Sequence, residues 1–169
     1  LSDSARPGSG SLSLKWLVSR RLGYEMKALV DLGADPRLPS MEQATPLMVA
    51  AGLGTRSRGP SGGLPRRGNV NLEALDLLLT WGNDINAQNA NGQTALHAAA
   101  FAAAHQAVQF LVDHGARMDL RDSMGRTPLD VANDNLRVEF RPSLQNHEPE
   151  DVDKTILLLT KLSGEPAAR

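Results

Sequence analysis

Thr94-Ala95-Leu96-His97-Ala98-Ala99-Ala100 returns 33 residues later as Thr127-Pro128-Leu129-Asp130-Val131-Ala132. It stands 49 residues after Thr45-Pro46-Leu47-Met48-Val49-Ala50-Ala51. A second marker keeps the same beat: Gly33, Gly82 and Gly115 each close an apolar run and each lie twelve residues before one of these threonines. Two independent markers in one register restrict the chain to an array of repeated units. Each unit is too small to hide its own apolar face and must be covered by its neighbours.

The array divides into four units, about 12–44, 45–93, 94–126 and 127–162, preceded by a Ser-, Gly- and Pro-rich flexible segment at 1–11 and followed by a tail at 163–169. The third unit sets the reference. It reads as a short inner helix over Thr94–Ala102, an outer helix over His105–His114 with Val108, Leu111 and Val112 on one face, and then Gly115. The second starts at Thr45-Pro46, where proline suits a first helical turn because its missing N–H would have been unpaired there. It runs to about Leu53 and resumes at Asn71–Trp81 after an insertion at 55–70. The fourth leaves its pattern near Asn133 and recovers at Val152, Ile156, Leu159 and Leu162, so an insertion at about 134–149 falls at the same structural position. Both loops leave one end of the stack. The first holds four arginines, and residues 139–153 hold Glu139, Glu148, Glu150, Asp151 and Asp153 against Arg141, which predicts that the two loops pack over the third unit and steady one another. The first unit lacks the Thr-Pro-Leu start, as a terminal unit with one neighbour can.

From about Leu12 to Leu162 the chain resembles the ankyrin-repeat family, most closely between Thr45 and Ala132. The run Ala44–Gly54, followed by an inserted loop, resembles bacterial members of that family in particular. The resemblance implies an all-α solenoid of about four helix-turn-helix units joined by β-hairpin-like loops that project sideways. It also implies a non-catalytic module that binds a protein partner through the hairpin tips and the concave face of the inner helices. Carried over position by position, the tips are Pro39, Met41, Glu42 and Ala44; Gln88, Ala90, Asn91 and Gln93; and Arg121, Ser123, Met124 and Arg126. The groove positions are Gly52, Leu53, Phe101 and Ala102. Phe101 stands out, because an aromatic on a concave face is the type of residue that anchors an interface. An alternative from another class is an accessory domain docked on a catalytic or membrane domain of the same polypeptide.

Other chemistries find little footing. No run approaches the ~18 apolar residues of a membrane span, and a net charge of -1 gives no field to attract nucleic acid or anionic lipid. The chain therefore reads as soluble, in a compartment that the absence of Cys leaves open. Arg56, Arg58, Arg66 and Arg67 could touch phosphates, but no aromatic is interleaved for base stacking. His105 and His114, nine residues apart on one helix, are about 13 Å from each other, too far to share a metal. His97 reads as a structural hydrogen-bonding group, and His114 as a complement to a helix C-terminus. The Asn-rich turns at 83–86 and 89–92 lack the closing Glu of a calcium loop. Glu73 with Asp76, and the acids at 148–153, have no nucleophile or base beside them. No cofactor, metal or catalytic residue is expected. The chain opens on Leu1 rather than Met and has no signal-peptide core, which implies that its native start lies upstream.

Overall fold

The computed structural model describes residues 23–40, 42–53, 70–138 and 149–164. Seven helices cover these stretches: α1 (Gly23–Asp31), α2 (Pro46–Ala50), α3 (Leu72–Thr80), α4 (Ala95–Phe101), α5 (His105–Asp113), α6 (Pro128–Val138) and α7 (Pro149–Ser163). No strand occurs among the described residues.

Local chemistry fixes where these helices begin and end. Thr45 and Asn71 accept the backbone N–H of Met48 and Ala74 at 3.3 and 3.1 Å. Thr94 and Thr127 accept those of His97 and Asp130 at 3.4 and 3.2 Å. A side-chain oxygen thereby satisfies one of the orphan donors of a first helical turn. At the far ends of α3 and α5, Gly82 and Gly115 take up φ of 81° and 90°. That lets Asn83 and Ala116 return their N–H groups to the carbonyls of Leu78 and Leu111.

Helices of five, seven and nine residues fall short of the ~12–15 that hold in water unaided, so packing must stabilise them. They pack in two rows. α2, α4 and α6 lie side by side as an inner row; α3, α5 and α7 lie side by side as an outer row; and α2–α3, α4–α5 and α6–α7 pair within units. Between the rows runs one core, whose fully buried members include Leu47 and Met48 of α2, Leu75 and Leu78 of α3, Leu96 of α4, Val108 and Leu111 of α5 and Leu159 of α7. Met26 of α1 joins it, and Gly33, at φ 93°, follows α1 as Gly82 and Gly115 follow α3 and α5, so α1 holds the register position of an outer helix. The all-α solenoid expected from the repeat is therefore the observed fold.

Two boundaries differ from the sequence reading. α6 does not stop near Asn133 but runs to Val138, because no Gly or Pro interrupts 129–141 and polar residues such as Asn and Asp cost an exposed helix only about 0.7 kcal/mol each. α7 continues to Ser163 and is followed by Gly164 at φ 71°, a fourth glycine 49 residues after Gly115, so the last unit extends into the expected tail. Residues 1–22, 54–69, 139–148 and 165–169 lie outside the described set, and with them the flexible lead-in, most of both insertions and their expected contact. Among the described residues, no helix is long and apolar enough to cross a membrane.

Candidate functional site

Three loops, one before each of α2, α4 and α6, project from the inner row and are built to one plan. The N–H groups of Ser40, Asn89 and Asp122 donate to the carbonyls of Ala44, Gln93 and Arg126 at 2.9–3.0 Å, and a tighter turn closes inside each. The residue opening the turn also organises it with its side chain. Asn89 Oδ1 accepts from Asn91 and Gln93 N–H, each at 2.9 Å, and Asp122 Oδ1 accepts from Met124 and Arg126 N–H, each at 2.9 Å. Ser40 Oγ takes the N–H of Ala44 at 3.2 Å. Short polar side chains that bond the backbone two and four residues on are what give such turns a fixed shape. The expected hairpin-like loops are thus turns closed by one ladder bond.

The tips are fastened to one another as well. Ala90 N–H donates to the Glu42 carbonyl at 3.0 Å and Ser123 N–H to the Asn91 carbonyl at 2.9 Å, the same bond one unit on. Gln88 Nε2 donates both to Gly92 O of its own loop, at 2.9 Å, and to Arg121 O of the next, at 3.1 Å. Lower down, Asn86 Oδ1 accepts the Arg117 N–H at 2.8 Å and Asn83 Nδ2 reaches the Pro36 carbonyl at 3.1 Å.

Between the third and fourth units a further bond runs from the core outward. Fully buried His97 presents Nδ1 to the Thr94 N–H at 3.2 Å and Nε2 to the Arg126 carbonyl at 3.0 Å. An accepting Nδ1 requires the proton on Nε2, which then donates to Arg126. Burial pushes the imidazole pKa below its ordinary value, against the Arg126 carbonyl and Asp122, which favour the charged form. Asp130 holds the equivalent place in α6. Its Oδ2 accepts Thr127 N–H and Oγ1–H at 2.9 and 2.8 Å; these bonds, the backbone one above all, hold the carboxyl below the usual range.

The expected tip residues divide accordingly. Glu42, Gln88, Ala90, Asn91, Arg121, Ser123 and Met124 are exposed, Met124 by 72%. Gln93 is half-buried, and Met41 lies outside the described residues. Arg126 is a tip residue turned inward: it grips Asp122 Oδ2 through Nη2 at 2.8 Å and Asp134 Oδ2 through Nη1 at 3.4 Å. Burial works against the charge on Asp122, yet the hydrogen bonds from Arg126 and Met124 hold its pKa low. On the groove side Phe101 and Leu53 are half-buried. Ala102 corrects the sequence reading. It is the C-cap of α4 and only 9% exposed, so its methyl belongs to the core and offers a partner almost nothing. Sequence reasoning gave the Asn and Gly residues of 89–92 the shaping of their turn but passed over Asp122 and Gln88 as organisers, although Asp122 shares the place of Asn89 in the repeat.

The family described as ankyrin repeats, in three copies, matches residues 66–155, more than half of the chain. The chain belongs to the ankyrin-repeat family. Over 120 residues, 70% of its length, it is 31% identical to the nematode Caenorhabditis elegans transient receptor potential cation channel subfamily A member 1 homolog. Over 120 residues, again 70% of its length, it is 32% identical to Protein PhlB of the bacterium Serratia liquefaciens. Over 64 residues, 38% of its length, it is 38% identical to mouse protein phosphatase 1 regulatory subunit 12A. It spans 8%, 46% and 6% of those proteins, less than half of each. Relatives from a bacterium, a nematode and a mammal do not single out the bacterial lineage that the Ala44–Gly54 run suggested. Ankyrin repeats generally mediate protein–protein interaction and are generally not catalytic. Among the described residues no group of three or more His, Asp or Glu could hold a metal ion.

Proposed function

We propose that these ankyrin repeats bind a partner protein through the row of loop tips and the adjoining concave face of α2, α4 and α6. The observation that carries this reading is the construction of the tips. Inter-loop backbone bonds fix their position, yet Glu42, Ala90, Asn91, Ser123 and Met124 keep exposed side chains that, among the described residues, make no hydrogen bond or ion pair. A rigid frame carrying side chains free of structural duty loses little entropy on binding. Phe101 and Leu53 supply apolar area beside it, Arg126 acts as a brace within the tip, and Ala102 has no part.

The test is capture by the immobilised full chain, with bound proteins identified by mass spectrometry. Phe101→Ala and Met124→Asp should each reduce recovery of the captured protein at least tenfold, while Glu73→Lys on the outer row leaves it unchanged. The reverse pattern would place the interface on the outer helices and sink this reading. The small share of its relatives that the chain spans, 8% of the channel homolog for one, favours a second reading, in which the same surface docks on another domain of a longer polypeptide. Cross-linking of Met124→Cys within the intact polypeptide distinguishes the two.

A further inference from the structure

Asn91–Gly92 is the one Asn–Gly step in the sequence, and it forms the second tip. Asparagine is a thermolabile residue: the amide nitrogen of the residue after it can attack its Cγ, and a glycine there carries no Cβ to obstruct the approach. The Asn91 side chain is exposed and, among the described residues, makes no hydrogen bond. The other asparagines of the described stretches are constrained. Asn71 caps α3, Asn83 reaches the carbonyls of Pro36 and Leu78, Asn86 holds the Arg117 N–H and Asn89 organises its own turn; Asn133 and Asn135 lie inside α6.

The peptide group between Asn91 and Gly92 is pinned at both ends. Its N–H donates to the Asn89 carbonyl at 2.9 Å, and its carbonyl takes the Ser123 N–H of the next unit at 2.9 Å. The third tip also restrains Gly92, lying so close that a Cβ there would sit 2.9 Å from Ser123 N and 3.1 Å from Asp122 Cα. Attack on Cγ has to swing this peptide group about the Asn91 Cα, which breaks both bonds and requires the third tip to lift.

We propose that Asn91 is a self-modification site whose rate is set by local opening of the third tip from the second. Hydroxide takes the Gly92 amide proton, the nitrogen bonds to Asn91 Cγ, the Cγ–Nδ2 bond breaks, and the departing nitrogen takes a proton from water and leaves as ammonia. Water then opens the five-membered imide at either carbonyl. Attack at Cγ gives aspartate on the original main chain. Attack at the main-chain carbonyl gives isoaspartate: the chain now runs through Cβ and Cγ, one methylene longer, and the carbonyl that held Ser123 becomes a free carboxylate outside the main chain. The acceptor of the Ser123 N–H is thereby displaced, and the second tip loses its tie to the third. The reaction uses only water and the atoms of this chain, and it stands apart from the protein-binding reading.

The folded full chain, kept in mildly alkaline buffer, is digested at intervals and mapped by mass spectrometry, with isoaspartate counted by isoaspartyl methyltransferase labelling. Asn91 should convert at least tenfold faster than Asn71, Asn83, Asn86, Asn89 or Asn133, and at least fivefold faster again when the chain is unfolded in urea. Ser123→Pro removes the N–H that holds Asn91 and places proline second in its turn, which suits it; it should speed conversion at least threefold. Gln88→Ala, which removes the amide joining Gly92 to Arg121, should speed it at least twofold and decides if circular dichroism shows Ser123→Pro unfolded. Equal conversion at another of these asparagines, or a rate at Asn91 that urea and both variants leave unchanged, overturns the proposal. The aged chain should melt below the fresh one, whereas Asn91→Asp, which carries the other product, and Asn91→Gln aged alike should melt with it. An aged chain that holds isoaspartate at 91 and melts like the fresh one, or an equal fall in aged Asn91→Gln, overturns the loss of the tie.

Discussion

The second and third units open their inner helices with the same threonine and differ three residues later. Met48 and His97 are equally hidden, each 1% exposed, but Met48 fills space within the core, whereas His97 also spans to the Arg126 carbonyl of the following unit. One place in the repeat can therefore serve either packing or the locking of successive units. The fourth unit shows a third option: Asp130 closes the same box on Thr127 with an exposed carboxylate. A flexible thioether adapts to an irregular gap, while an imidazole held at both nitrogens fixes the register of two units against each other.

Shrinking the space-filler should have the largest effect. Met48→Ala is expected to cost about 2–5 kcal/mol, from lost burial plus a residual cavity, read as a lower urea midpoint with unchanged slope. Gly92→Ala follows at about 2–4 kcal/mol, since a Cβ would meet the backbone of Ser123 and the residue would hold a left-handed φ of 70°. Gly125→Ala, equally left-handed but facing open space, should cost only about 1–2 kcal/mol. Equal losses would show that the tips do not pack as described.

His97→Met, which makes the third unit copy the second, should cost about 1–3 kcal/mol by leaving the buried Thr94 N–H without its partner and the Arg126 carbonyl with the Asp122 N–H alone. It carries a pH signature. Burial favours neutral His97 in the folded protein, so its contribution is complete above the unfolded pKa of about 6.5 and is lost as pH falls below it. Chemical denaturation of the parent at pH 7.5 and pH 5 should show a loss of stability that His97→Met reduces. The smallest effect is expected at the first tip, where Gln43 holds φ 56° at the place of Gly92 and Gly125. Gln43→Gly should relieve about 1–2 kcal/mol of left-handed strain and return about 0.4–1 kcal/mol of unfolded-chain entropy. The net outcome is a slightly raised melting temperature.

The features legible in the sequence were those that a single residue's backbone preference dictates. Thr45, Thr94 and Thr127 mark helix starts because an N-cap is a local bond, and Gly82 and Gly115 mark helix ends because a left-handed residue excludes most side chains. Bonds between units were not legible. Nothing in the order of residues says that Gln88 reaches Arg121 O, or that Arg126 turns back on Asp122 and Asp134, because these distances exist only once the units are stacked. The same reason misplaced Ala102, a small residue whose burial depends on what lies over it, and the end of α6, where a run of polar residues resembles a loop. Of the surface expected to meet a partner, the exposed positions could be inferred from the period; which of them were already engaged could not.

The bonds between tips have a consequence for solvent access. Ala90 and Ser123 are exposed at the loop tips, yet their amide hydrogens are held by the preceding loop, so they should exchange with deuterium far more slowly than that exposure suggests. Their exchange rates would then time the parting of neighbouring units, making two surface amides the clocks for motions deep in the stack.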